Sequence, residues 1–199
     1  MPIPKLKTLT PEEFLAFDST AEVRHEYVRG ELFALSGTTL THNELVFRIT
    51  AALRSTFLPR GCRVLFEAVK LHVESANCYF YPDVFVTCDA RDRTDPLIQR
   101  HANLVVEVLS ESTEVFDRSE KLSSYPQLDT LQAYVLVNTA LRRGEVYERQ
   151  DGPFWRYSAL GPGETLRVEK LDLSLDVSAL YADTDVPDVG LPLRSDGEA

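Results

Sequence analysis

Tyr81-Pro82-Asp83 heads one apolar run, and 24 positions after Asp83 comes Glu107, set inside another, Leu104-Val105-Val106-Glu107-Val108-Leu109. A strand buried on both faces reads as a near-continuous run of Val, Ile and Leu, so Glu107 is expected in or beside a core. An ionised carboxylate there is costly unless it is hydrogen-bonded, paired or bound to a metal. Two such carboxylates on neighbouring strands would make an all-oxygen site suited to Mg²⁺, with Mn²⁺ as a substitute. Downstream, Asp117, Lys121 and Tyr125 are spaced i, i+4 and i+8, one face of a helix, and that face would open toward the end of the Glu107 strand.

The elements that must position these groups are legible in outline. Thr10, Pro11 and Glu13 form a capping box for a first helix. Glu26-Tyr27-Val28 and Glu31 to Leu35 flank Arg29-Gly30 as a hairpin. Thr41 and Glu44 are expected to open a second helix with Leu45, Ile49, Ala52 and Leu53 on one apolar face and Pro59-Arg60-Gly61 at its end. Strands follow at Arg63 to Glu67, Val69 to Val73 and Tyr79 to Cys88, then a polar loop from Asp89 to Arg100 and the Leu104–Leu109 strand. The helix carrying Phe116, Lys121 and Tyr125 ends at Pro126, a buried strand runs from Ala133 to Val137, and hairpin signals continue through Val168. This order predicts an α/β or α+β fold, a mixed sheet flanked by helices with extra antiparallel hairpins.

With 199 residues and 44% hydrophobic content, the chain is expected to form a single domain over residues 1–181, followed by an acidic, disordered tail at 182–199. No apolar run is long enough to span a bilayer and Met1-Pro2-Ile3-Pro4-Lys5 lacks the apolar stretch of a signal peptide, which points to a soluble cytoplasmic protein. Cys62, Cys78 and Cys88 show no CxxC spacing and are read as ordinary reduced thiols. A net charge of -10 argues against a nucleic-acid coat protein, although the tail supplies five acids and one base, and Arg91, Arg93, Arg100 and Arg118 bracket the two acid-bearing strands as a possible basic rim.

Pro82-Asp83, Glu107-Val108-Leu109-Ser110 with Ser112-Thr113 behind it, then Asp117 and Lys121, form a pattern that resembles the Uma-two family of bacterial restriction-endonuclease-like proteins, in the PD-(D/E)XK nuclease superfamily. The resemblance covers Glu26 to Tyr181. It implies a restriction-endonuclease-like core, a Mg²⁺-dependent endonuclease acting on nucleic acid, most readily DNA, and a homodimer if both strands of a duplex are cut. Asp83 and Glu107, with the Val108 carbonyl, would hold the metal. In the superfamily the lysine usually stands two residues after the second acid, where this chain has Leu109, so the role falls to Lys121. His42, Glu31, Asp117 and Tyr125 are auxiliary candidates. A catalytically silent module that keeps the fold and binds a protein or nucleic acid is the alternative reading.

Overall fold

The computed structural model describes residues 8–35 and 37–188. Helix α1 (Pro11–Asp18) opens with the expected capping box: the Thr10 N–H donates to Glu13 Oε2 at 2.9 Å and the Glu13 N–H to Thr10 Oγ1 at 3.2 Å. Strands β1 (His25–Val28) and β2 (Glu31–Ala34) form the hairpin about Arg29-Gly30. Helix α2 (Leu40–Phe57) begins two residues earlier than expected, because Thr39 is still extended and its hydroxyl accepts the His42 N–H, whereas Thr41 is already helical. A 3₁₀ turn with Pro59 and a left-handed Gly61 ends it.

Strands β3 (Arg63–Phe66), β4 (Lys70–Val73), β5 (Cys78–Phe80) and β6 (Val84–Thr87) follow. The single strand expected from Tyr79 to Cys88 is thus two strands. Pro82 has no N–H to continue a ladder, and the chain changes sheet there. β5 joins a five-stranded sheet of order β2-β1-β5-β4-β7 and β6 a six-stranded sheet of order β11-β10-β9-β8-β6-β3, where β7 is Ile98–Gln99, β8 Leu104–Leu109, β9 Ala133–Asn138, β10 Gly144–Arg149 and β11 Trp155–Leu160. Within the larger sheet β8 and β9 run parallel and every other neighbouring pair antiparallel. β12 (Thr165–Val168) and β13 (Leu173–Asp176) make a separate hairpin, followed by the short helix α3 (Val177–Leu180).

The six-stranded sheet separates two cores. Val106 and Val108 of β8 face Leu45, Ile49 and Leu53 of α2, while Val105 and Leu109 face Leu71, Phe80, Tyr125 and Tyr134 on the other side. Since side chains alternate along a strand, Glu107 is committed to the second side, between the two sheets. The segment after β8 is a composite: an α turn at Glu114–Phe116, a π segment at Asp117–Lys121, a second α turn at Leu122–Ser124 and a 3₁₀ turn at Tyr125–Gln127.

Two further expectations need correction. Cys62 and Cys88 are disulfide-bonded, with Cα atoms 4.1 Å apart, because the Arg63↔Thr87 register of β3 and β6 makes them the next facing pair; only Cys78 remains a free, buried thiol. Ala182–Asp188, assigned to the tail, are held in place. The Arg142 guanidinium donates to the Val186 and Thr184 carbonyls, and Val186 is buried in the core beside α2. The rest of the expected tail, residues 189–199, lies outside the described residues. Among the described residues no helix is long and apolar enough to cross a membrane.

Candidate active site

The break at Pro82 places Asp83 at the seam between the two sheets, and β8 brings Glu107 alongside it. The Asp83 N–H donates to Glu107 Oε2 at 3.2 Å, and the Val108 N–H donates to Asp83 Oδ2 at 2.7 Å. His42, in the first turn of α2, lies with Nε2 3.2 Å from the same Asp83 oxygen. From the opposite side the composite helix delivers Lys121, whose Nζ donates to Glu107 Oε1 at 2.9 Å, and Tyr125, whose hydroxyl donates to that oxygen at 2.7 Å. Asp117 Oδ1 is 3.0 Å from the Lys121 amine. The π segment keeps Asp117 and Lys121 side by side, and such segments are frequent at functional sites.

Of the residues singled out in the sequence, Asp83, Glu107, Val108, Lys121, Asp117, Tyr125 and His42 therefore converge. Glu31 does not. It sits exposed at the head of an edge strand, opposite Val28, and stays outside the cluster. Its place is taken by a residue the sequence reading passed over, Glu26, whose Oε1 lies 3.2 Å from Lys121 Nζ and accepts the Tyr81 N–H at 3.0 Å. Part of the signal was available: Glu26 is two residues from Val28 on a strand and so points to the same apolar side as that core residue, but Glu31, opposite Val28, shares that side.

Of these groups His42, Asp83, Glu107, Asp117 and Lys121 line a cavity of about 600 Å³, with Glu26 and Tyr125 packed behind them. Glu107 is 2% exposed at the floor, while the Asp83 side chain keeps 21% of its surface open. Three carboxylates, Glu26, Glu107 and Asp117, share one ammonium, and a fourth, Asp83, lies against Glu107. Burial pushes the Glu107 carboxyl well above the usual glutamate range; Lys121 opposes the shift, and Asp83, Asp117 and Glu26 add to it. Glu26 is raised as well, chiefly by burial. For Lys121 burial alone would lower the pKa, but Glu107, Glu26 and Asp117 outweigh it and hold the side chain as ammonium. His42 behaves alike: Asp83 overcomes the desolvation cost and raises its pKa.

The donor chemistry fits a hard divalent cation. The cluster carries a surplus of buried negative charge, its ligand atoms are oxygens, and in a strand the N–H and C=O of one residue point to the same side, so the Val108 carbonyl faces the edge where its N–H meets Asp83. Among the described residues no three His, Cys, Asp or Glu side chains close around a point that could hold an ion unaided. Small hard cations such as Mg²⁺ are commonly held by one or two carboxylates together with water and substrate phosphate rather than in an all-protein cage.

The expected basic rim is absent from the cavity. Arg91 is bound to Asp89, Arg100 to Asp95 and Arg118 to Glu145 and Glu114, while Arg93 donates to the Gly61 carbonyl, and none of the four lines it.

Fold and cluster together define a mixed-sheet α+β protein with a buried acid–lysine site at the seam of two sheets. The chain belongs to the Uma2 family, described as "Putative restriction endonuclease", which matches residues 11–178. It is 31% identical over 180 residues to the uncharacterized protein slr1290 of Synechocystis sp. (strain ATCC 27184 / PCC 6803 / Kazusa), covering 90% of this chain and 93% of that one. A second protein of that organism, the uncharacterized protein sll1609, is 29% identical over 171 residues, or 85% of this chain and 96% of its own length. The fold is similar to the crystal structure of "a putative nuclease belonging to DUF820 from Anabaena variabilis ATCC 29413", with a TM-score of 0.73, 16% identity, and coverage of 87% of this chain and 97% of that one. The resemblance drawn from Pro82-Asp83, Glu107 and Lys121 is thus borne out for family and fold.

Proposed function

We propose that the chain is a Mg²⁺-dependent nuclease that hydrolyses phosphodiester bonds of nucleic acid, with DNA as the substrate, and that Asp83, Glu107 and Lys121 carry the reaction. The observation that supports this most is the sharing of one buried ammonium among three carboxylates, with Asp83 beside them, at the floor of an open cavity. Asp83 and Glu107, with the Val108 carbonyl, hold the cation; when bound, it supplies positive charge for the phosphoryl oxygens and makes a coordinated water more acidic. Lys121, fixed as ammonium by Glu107, Glu26 and Asp117, stabilises charge developing on the phosphate and does not take the water's proton. Tyr125 orients Glu107 through its hydroxyl, and His42 orients Asp83. Glu26 and Asp117 position the amine.

Mn²⁺ titration followed by paramagnetic resonance tests the metal site directly, comparing wild type with Asp83→Asn/Glu107→Gln. Binding that is present in the first and lost in the second is expected, followed by Mg²⁺-dependent DNA cleavage that Lys121→Ala reduces by roughly 10²–10³. Equal Mn²⁺ binding by both folded proteins would remove the assignment. The homodimer belongs to this reading if the substrate is a duplex, and light scattering at micromolar concentration tests it.

A further inference from the structure

The charge around the cavity bears on which form of nucleic acid enters it. Besides the cluster itself, Glu67 and Glu111 line the walls, so acids dominate the entrance. Cations nearby are already committed: Arg29 to Glu120, Arg118 to Glu145, and Lys121 to three carboxylates. Arg24 is different. It lines the cavity, is exposed, and among the described residues has no carboxylate partner. Its guanidinium lies over the Tyr81 ring, 5.8 Å from the centroid, and Tyr81 is itself pinned by its hydroxyl to Asp18 at 2.6 Å and by its N–H to Glu26. The arginine is therefore held at the mouth by an aromatic platform and keeps its donors and outer face available.

Duplex binding rests on many phosphate contacts by Lys and Arg, which this entrance lacks among the described residues and its acids oppose. Binding of an unpaired strand can rest on a few contacts, with bases stacked on aromatic rings or guanidinium planes. The cavity has the volume of a small-ligand pocket, and the carboxylates lie at its floor, so the scissile phosphate must descend into it. A strand free of its complement can do so, whereas a base inside a duplex must first be extruded. We infer that the nuclease site takes unpaired strands, single-stranded or at the end of a duplex, and that Arg24 is the substrate contact that guides a nucleotide next to the scissile bond. This rests on the nuclease reading above and names its substrate class.

The test is fluorescence anisotropy with a labelled single-stranded oligonucleotide, a blunt duplex of the same sequence, and that duplex with a single-stranded overhang, each titrated with wild type and Arg24→Gln. Arg24 is exposed, so its replacement should leave the fold intact, which circular dichroism checks. Single strand and overhang are expected to bind at least tenfold more tightly than the blunt duplex, and Arg24→Gln to weaken them roughly tenfold. Equal or tighter binding of the blunt duplex overturns the inference while leaving the nuclease reading intact. A single-strand preference unmoved by Arg24→Gln overturns the role of Arg24. If none of the three binds, the inference falls together with the nuclease reading.

Discussion

Asp92 and Glu107 are both buried, at 3% and 2% exposure, and they are opposites. Asp92 sits in the loop between β6 and β8, where its oxygens accept from the Thr87 hydroxyl at 2.8 Å and from the Arg100 and His101 N–H groups at 3.0 and 3.1 Å, with His101 Nδ1 at 2.7 Å. Every contact is a donor, and none of them is shared with another carboxylate. Glu107 also has good donors, but its ammonium is divided with Glu26 and Asp117, and Asp83 lies against it. A carboxylate saturated by private donors ties a loop together. One left in a surplus of like charge, facing a cavity, marks a place kept ready for a cation or a reacting group.

If that contrast holds, the largest effect comes from removing the shared cation. Lys121→Met leaves three carboxylates in a buried site without their ammonium and should destabilise the protein by about 3–5 kcal/mol near neutral pH in urea unfolding. Adding Glu26→Gln to that variant should recover part of the loss, since it removes one of the stranded charges. Next is Glu107→Gln. It should lower cleavage by roughly 10²–10³, yet leave stability unchanged or slightly raised, because it relieves carboxylate repulsion at the floor of the cavity. A Glu107→Gln protein that is both active and less stable would place Glu107 with Asp92 as a structural acid.

Much of this site was legible because strand patterning is a local signal. An acid inside Leu104–Leu109 has nowhere to point but a core, and i, i+4 spacing puts Asp117 beside Lys121 whatever the rest of the fold. The failures share a physical cause. Choosing Glu26 over Glu31 depends on which strand of the β1–β2 hairpin becomes the sheet's edge: the two acids share a side, but β5 adds to β1 and leaves β2 outermost, a matter of sheet order that neither strand encodes alone. The Cys62–Cys88 disulfide depends on the register of β3 against β6, and the sheet change at Pro82 on two ladders competing for one chain. Spacing could not show that the four loop and helix arginines turn to partners away from the cavity.

The Asp92 side of the comparison is broken by Asp92→Ala. It strips the private donors of their acceptor and should cost about 2–3 kcal/mol in urea unfolding, the penalty of leaving buried polar groups unpaired. Cleavage per folded molecule should stay near wild type. A loss of activity beyond the loss of folded protein would mean that the loop reaches the site by a route its hydrogen bonds do not suggest.

Asp18 sharpens the contrast with the smallest effect. Its side chain is 1% exposed and accepts from the Tyr81 hydroxyl, from Lys70 Nζ at 2.9 Å and from the His25 N–H at 2.9 Å, so it is saturated as Asp92 is, although it supports the wall of the cavity. Burial pushes its pKa up, but those three donors prevail and the folded value lies below the ordinary 3.8. A depressed folded pKa means that the stabilisation is complete above the unfolded value and fades as pH falls through the lower folded one. Asp18→Asn should therefore cost about 1 kcal/mol at neutral pH, and wild type and variant should converge in strong acid. Unfolding midpoints measured from neutral pH down to the acid limit check this. A gap that widens in acid would show that Asp18 is held by something other than donors to its charged form, and would move it from the company of Asp92 to that of Glu107.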